Sequence, residues 1–209
     1  MVIDIEGSDS RERWEQGKKF QNKVALFGLV LSNVLLINIW YNDVGRMSAS
    51  NYEIIRLILG LNVQYFDQKQ VKRIVFVLRD SIDVDERNGN RHIEDLLVQD
   101  VKRIWNEIKK PPHIKSEDID SYFSFKVFLV NSLTHRKEKF EQDVAKLKGV
   151  IMGMDCLDFG NVPLSDFYLY MRSSWEIIDQ NKDINIPGQV KMVSEFRCEE
   201  IKKEEIARL

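Results

Sequence analysis

Apolar positions in the chain fall into two alternating rhythms: short unbroken aliphatic runs, and stripes spaced by three or four residues. Met1 to Ile5 is a short apolar segment, predicted as a strand, that ends abruptly in acidic and small residues. Phe20, Val24, Phe27 and Leu31 then recur at helical spacing. Val34 to Trp40 is an apolar run of the kind buried in parallel sheets. After a polar loop containing Gly45, Ser50-Asn51-Tyr52-Glu53 has the form of a capping box, and Ile54, Ile58 and Leu61 stripe the helix behind it.

The alternation continues downstream. Arg73 to Leu78 predicts a third strand, and the polar stretch Ser81 to Arg91 predicts a long loop. Ile93, Leu97, Val101, Ile104 and Ile108 make a helical stripe stopped by Pro111-Pro112. Phe125 to Val130 predicts a fourth strand. Two helices follow, striped by Phe140, Val144, Leu147 and Ile151, and by Leu164, Tyr168, Met171, Trp175 and Ile178. Strands alternating with helices imply crossover connections, so the expected fold class is α/β: a mostly parallel sheet with helices on both faces. Pro187-Gly188 punctuates the chain, placing a boundary between a domain at 1–186 and a charged, helix-prone segment at 187–209.

Composition narrows the function classes. The chain has 209 residues, 44% of them hydrophobic and 31% charged, enough for one medium domain with its core. A net charge of −2 suggests no nucleic-acid or anionic-membrane partner. Cys156 and Cys198 have no metal-ligand spacing and suit a reduced, cytosolic chain. The most apolar stretch, Val24 to Trp40, is broken by Gly28, Ser32, Asn33 and Asn38, so no membrane-spanning segment is expected. His92, His113 and His135 lack ligand-like spacing. Asp83, Asp85 and Glu86 with Gly89 lack the acid spacing of a calcium loop, and Lys202 to Glu205 reads as a solvated helix face.

Two strand ends are chemically marked, and ligands of such folds sit outside the carboxyl ends of strands. Asp4-Ile5-Glu6-Gly7 puts a carboxylate that can hold Mg²⁺ through water next to a glycine that lets a backbone N–H approach a phosphate. Taken alone the pattern is short enough to be an acidic turn. Arg79-Asp80 closes the third strand. Its carboxylate can accept hydrogen bonds from N1–H and the exocyclic amine of guanine, which adenine does not offer; equally, Asp80 can start a loop or cap a turn.

Over a longer stretch these residues resemble a known family. Asp4 to Arg13, the Ala25-Leu26-Phe27 helix, Val34 to Trp40, Leu78-Arg79-Asp80, Ile93-Glu94-Asp95-Leu96, Ile104-Trp105 and Phe196-Arg197-Cys198 with Glu200-Ile201 occur in the order found in dynamin-like GTPases that fuse and shape the endoplasmic reticulum. The likeness is to the root-hair-defective and yeast Sey branch, relatives of atlastin. It implies that Asp4 is the Mg²⁺-linked carboxylate, Gly7 the γ-phosphate contact, and Arg79 and Asp80 the guanine contacts. It implies GTP with Mg²⁺ as ligand, a homodimer formed through the GTPase domain of the complete protein, and a place on the cytosolic face of the endoplasmic reticulum membrane. Ser8 stands where Ras-type proteins place a water-orienting glutamine. Ser132 to His135 lies where the family places a second base-contacting loop, with no residue matched closely enough to assign.

Nowhere does the sequence contain G-x-x-x-x-G-K-[ST], whose backbone wraps the phosphates of a P-loop NTPase-like GTPase domain. The expectation is that the N-terminal part of the domain is missing, that Met1 is an internal methionine of a larger protein, and that no catalytic residue lies in this chain, which alone is inactive. Without the strand that leads into the phosphate loop, the sheet is expected to lose the neighbour standing between Met1 to Ile5 and Val34 to Trp40. The alternative from another class is a short, non-catalytic interaction protein that pairs with a full-length relative. An unrelated cofactor-binding α/β protein would need a glycine-rich turn, and no G-x-G-x-x-G occurs.

Overall fold

The computed structural model describes residues 2–5, 16–46, 50–65, 71–81, 89–112, 114, 119–153 and 164–180, with isolated positions 198, 202 and 206. Three strands run parallel in chain order: β1 (Val34–Trp40), β2 (Lys72–Ser81) and β3 (Phe123–Asn131). The central strand carries an unbroken apolar run, and Ile74 through Leu78 are all buried, as a strand covered on both faces requires.

Each face of β2 is closed by a different chemistry. On one, Val75, Val77 and Val130 form an aliphatic cluster onto which α5 (Lys137–Gly153) lays Phe140 and Leu147. On the other, Phe76 stacks on Phe125 at 6.0 Å and Phe125 on Phe123 at 5.8 Å. Trp105 of α3 (Gly89–Glu107) meets Phe123 edge-on at 5.9 Å. Parallel strands need crossovers. These are α2 (Ser50–Tyr65) between β1 and β2, and α3 with the one-turn α4 (Ile119–Tyr122) between β2 and β3. The sheet and these helices make one compact unit.

A second unit contains residues 2–5, α1 (Gln16–Leu31) and α6 (Leu164–Asp179). Trp175 packs edge-on against Phe27 at 5.3 Å and Phe20 at 6.4 Å. The Tyr170 hydroxyl donates to the Val30 carbonyl at 3.1 Å, and Lys23 pairs with Asp179 at 3.0 Å. Ile5 crosses Gly28 so closely that a Cβ there would stand 2.6 Å from its Cδ1. The contact is with the tip of a partly exposed isoleucine side chain, so a shift of Ile5 would relieve it, and glycine at 28 is not a strict requirement.

The α/β class and the parallel sheet are as the pattern predicts, with four differences of detail. Residues 2–5 do not form a strand: Val2 is 89% exposed and no described strand pairs with the segment. An extended segment becomes a strand only when a neighbour satisfies its backbone groups. β1 is not buried on both faces: Ile37 and Ile39 face inward, while Leu36 and Trp40 are 41% and 47% exposed. The buried stripes of α2 and α6 keep Ile58, Leu61 and Ile178 of those predicted but are broader and partly shifted. Tyr52, Ile55 and Leu59 lead in α2, and Phe167, Tyr170 and Ile178 in α6, with Tyr168 turned outward. Finally, α4 was not foreseen, and the Ser81 to Arg91 loop ends in α3 by Gly89, with 82–88 outside the described residues.

Candidate functional site

Parallel strands deliver their carboxyl ends to one edge of the sheet, so Trp40, Arg79-Asp80-Ser81 and Asn131 lie side by side. The last residues of β2 are irregular. Pairing with β3 runs in step from Lys72↔Phe123 to Leu78↔Leu129, then resumes at Ser81↔Asn131. Arg79 and Asp80 thus stand opposite Val130 alone, a bulge of the kind that re-aims side chains. Asp80 has φ 62°, the sole positive φ at a non-glycine among the described residues. Left-handed backbone costs an L-residue roughly 1–2 kcal/mol, and aspartate is among the residues that tolerate it. Beyond the bulge, the buried Ser81 hydroxyl donates to the Val130 carbonyl at 3.4 Å and returns the strand to register.

Arg79 is anchored from the other side. Its register partner on β1 is Trp40, and its guanidinium carbon lies 4.0 Å from the Trp40 ring centroid. Such contacts contribute about 0.5–1 kcal/mol at exposed positions. The exit from β1 is fixed as well. A 3-10 turn, Tyr41–Asp43, leads to Gly45 at φ 82°, whose N–H donates to the Tyr52 hydroxyl at 3.0 Å. That hydroxyl donates in turn to Asp100 Oδ2, and Arg103 pairs with Asp100 Oδ1. Burial, then the bond to Asp100, pushes the Tyr52 phenol up to about 12, so it stays protonated and keeps donating.

The exit from β3 is held by Asp143 of α5. Its Oδ2 accepts the Asn131 backbone N–H at 3.0 Å and the Asn131 side-chain amide at 2.8 Å. The following turn closes when the Arg136 N–H donates to the Ser132 carbonyl at 2.8 Å. A shallow hollow of about 430 Å³ lined by His135, Arg136, Lys137, Glu138 and Lys139 opens beyond it.

Comparison with known proteins decides the family. The model of the Root hair defective 3 GTP-binding protein (RHD3) GTPase domain matches residues 1–187. The chain belongs to the RHD3 GTPase-domain family. Protein SEY1 homolog 2 of Trichomonas vaginalis is 33% identical over 225 residues, covering 100% of this chain and 27% of that protein. Protein ROOT HAIR DEFECTIVE 3 homolog 1 of Arabidopsis thaliana is 31% identical over 213 residues, with 99% and 26% covered. Protein ROOT HAIR DEFECTIVE 3 of Oryza sativa subsp. japonica is 32% identical, with the same coverage. The chain thus spans about a quarter of the length of the curated relatives it matches.

Within the RHD3 domain the residues picked out from sequence have different standings. Arg79 and Asp80 are adjacent on the β2 bulge of the sheet unit, while Asp4 is an exposed residue of the other unit. Gly7 lies outside the described residues. No group of three or more His, Cys, Asp or Glu able to hold a metal occurs among the described residues. Mg²⁺ is commonly held by only one or two carboxylates together with water and a substrate's own phosphates, so such a group is not a requirement for it. No helix among the described residues is long and apolar enough to cross a membrane. Sequence reasoning overlooked two contributors, the Trp40 ring beneath Arg79 and the Gly45–Tyr52–Asp100 clamp. An aromatic residue closing a strand was the available signal for the first; the second joins residues 48 apart and leaves none.

Proposed function

We propose that this chain forms the base-reading part of the GTPase domain of a dynamin-like protein that fuses and shapes endoplasmic reticulum membranes. In the complete protein, GTP binding drives head-to-head pairing of GTPase domains on the cytosolic face of that membrane, and hydrolysis drives fusion. Residues 1–186 are the C-terminal part of the GTPase domain, and 187–209 start a helical middle domain. Arg79 and Asp80 contact guanine, Gly7 approaches the γ-phosphate, and Asp4 holds Mg²⁺ through water. Phosphoryl transfer depends almost wholly on positioning and charge stabilisation. The sequence holds no G-x-x-x-x-G-K-[ST] to wrap the phosphates, so the isolated chain is expected to turn over GTP negligibly.

The observation that carries this reading is Asp80. A left-handed aspartate on a bulge at the carboxyl end of the central strand is an aimed carboxylate, because a regular strand would have sent its side chain to a sheet face. A carboxylate accepts from both N1–H and N2–H of guanine. An amide in its place offers a donor that suits the carbonyl at position 2 of xanthine. Titration of the isotope-labelled chain with guanosine, adenosine and xanthosine, followed by amide shifts, tests this. Guanosine should be preferred, at about millimolar affinity for base contacts alone. Asp80→Asn should lose guanosine roughly 10- to 100-fold and gain xanthosine. Equal affinity of the wild type for all three would overturn the reading. Self-association by such a guanine-blind chain would then favour the non-catalytic interaction role.

A further inference from the structure

We infer that Trp40 is a positioning residue of the base site. Its ring seats the Arg79 guanidinium so that the other face of the cation meets the bound purine while Asp80 reads the purine's edge. The inference rests on the guanine reading of Arg79 and Asp80 and adds a residue to it.

The argument starts from what the bulge does to Arg79. On its β3 side Arg79 has lost one-to-one register, because it shares Val130 with Asp80. An arginine side chain has many rotamers, and a base contact made by an unordered one is weakened by the entropy of fixing it. On its β1 side the register is intact, and the paired residue there is Trp40, with the guanidinium carbon 4.0 Å from its ring centroid. Trp40 therefore supplies the restraint that the bulge removes. Its exposure points the same way. Leu36, Asn38 and Trp40 share the outward face of β1, and the Trp40 ring is nearly half exposed, so it is not a core anchor. A guanidinium is planar and stacks on aromatic rings and on nucleic-acid bases alike. With one face held on Trp40, its second face would take the base whose edge Asp80 reads.

Two readouts on the full chain test this. The first needs no ligand: the Arg79 Nε–H resonance should carry a ring-current shift that Trp40→Leu abolishes and Trp40→Phe retains. The second is guanosine affinity, measured against adenosine. Trp40→Leu should bind guanosine roughly three- to tenfold more weakly, and Trp40→Phe should stay within about twofold of wild type. Leu36→Gln, on the same face of β1 but away from the bulge, should leave affinity unchanged. If guanosine binds the wild type and Trp40→Leu equally, the positioning role is wrong while the guanine site stands. If Trp40→Phe or Leu36→Gln loses as much as Trp40→Leu, the effect is strand stability, and the inference falls. If the wild type shows no preference for guanosine, the site reading and this inference fail together.

Discussion

The two ends of β2 treat polar residues in opposite ways. At the amino end Lys72 is buried, and its ammonium donates to the Ser32 carbonyl at 3.0 Å. At the carboxyl end Arg79 is exposed and Asp80 half-buried, on backbone that departs from the ladder. Between them lie Ile74 to Leu78, buried on both faces of the sheet. A polar group at the amino end is absorbed into the fold by the fold's own backbone. At the carboxyl end the backbone itself is distorted so that polar groups are presented. The difference separates a strand that holds the domain together from the short terminus that gives it chemistry.

The sharpest way to break the comparison is at the middle of the strand. Phe76 is fully buried and stacks on Phe125, so Phe76→Ala removes a large side chain from a layer that also contains Phe123 and Trp105. A destabilisation of about 3–5 kcal/mol is expected in urea unfolding. A loss below about 1 kcal/mol would mean that the aromatic layer is not the core.

Next in size is Lys72, where the sign follows from its titration. Burial lowers its pKa from the ordinary 10.5 to about 8. Below pH 8 both folded and unfolded chains hold the proton, and the full penalty of a buried charge is present. Between pH 8 and 10.5 the unfolded chain binds more protons than the folded one, so stability rises with pH. Above 10.5 both are neutral and the penalty is gone. The rise should approach about 3 kcal/mol at most, and it should vanish in Lys72→Met. Wild-type and Lys72→Met unfolding curves that keep a constant separation from pH 7.5 to 10.5 would show that Lys72 is not buried as a cation.

How much of this was legible in the sequence depends on how far apart the deciding residues are. The helices and the three strands of the sheet follow from local spacing, because Arg73 to Leu78 or Leu97-Val101-Ile104 carry their period within one element. The buried face of a helix is less local. In α2 it takes in Tyr52, Ile55 and Leu59 beside the expected Ile58 and Leu61, and Tyr52 also bonds Gly45 and Asp100, on other segments. Strand status at Val2 to Ile5 depends on a neighbour, which apolar character does not reveal. For the site, Arg79 and Asp80 stood out as charged residues ending an apolar run. Their bulge and the pairing of Arg79 with Trp40 come from register between strands, which no window of sequence encodes.

The smallest expected effect is the one that separates the two ends of β2 most cleanly. Asp80→Gly removes the carboxylate and relieves the left-handed strain, since glycine populates φ near 60° without steric cost. Against that gain stands the larger backbone freedom of glycine in the unfolded chain, of similar size and opposite sign. Stability should therefore change by less than about 1 kcal/mol, while the preference for guanosine disappears. A residue maintained for the fold would behave otherwise. If Asp80→Gly lost more than about 2 kcal/mol in the same urea assay used for Phe76→Ala, the carboxylate would be an internal partner holding the bulge. The carboxyl end of β2 would then be structural like the amino end, and the contrast drawn between them would collapse.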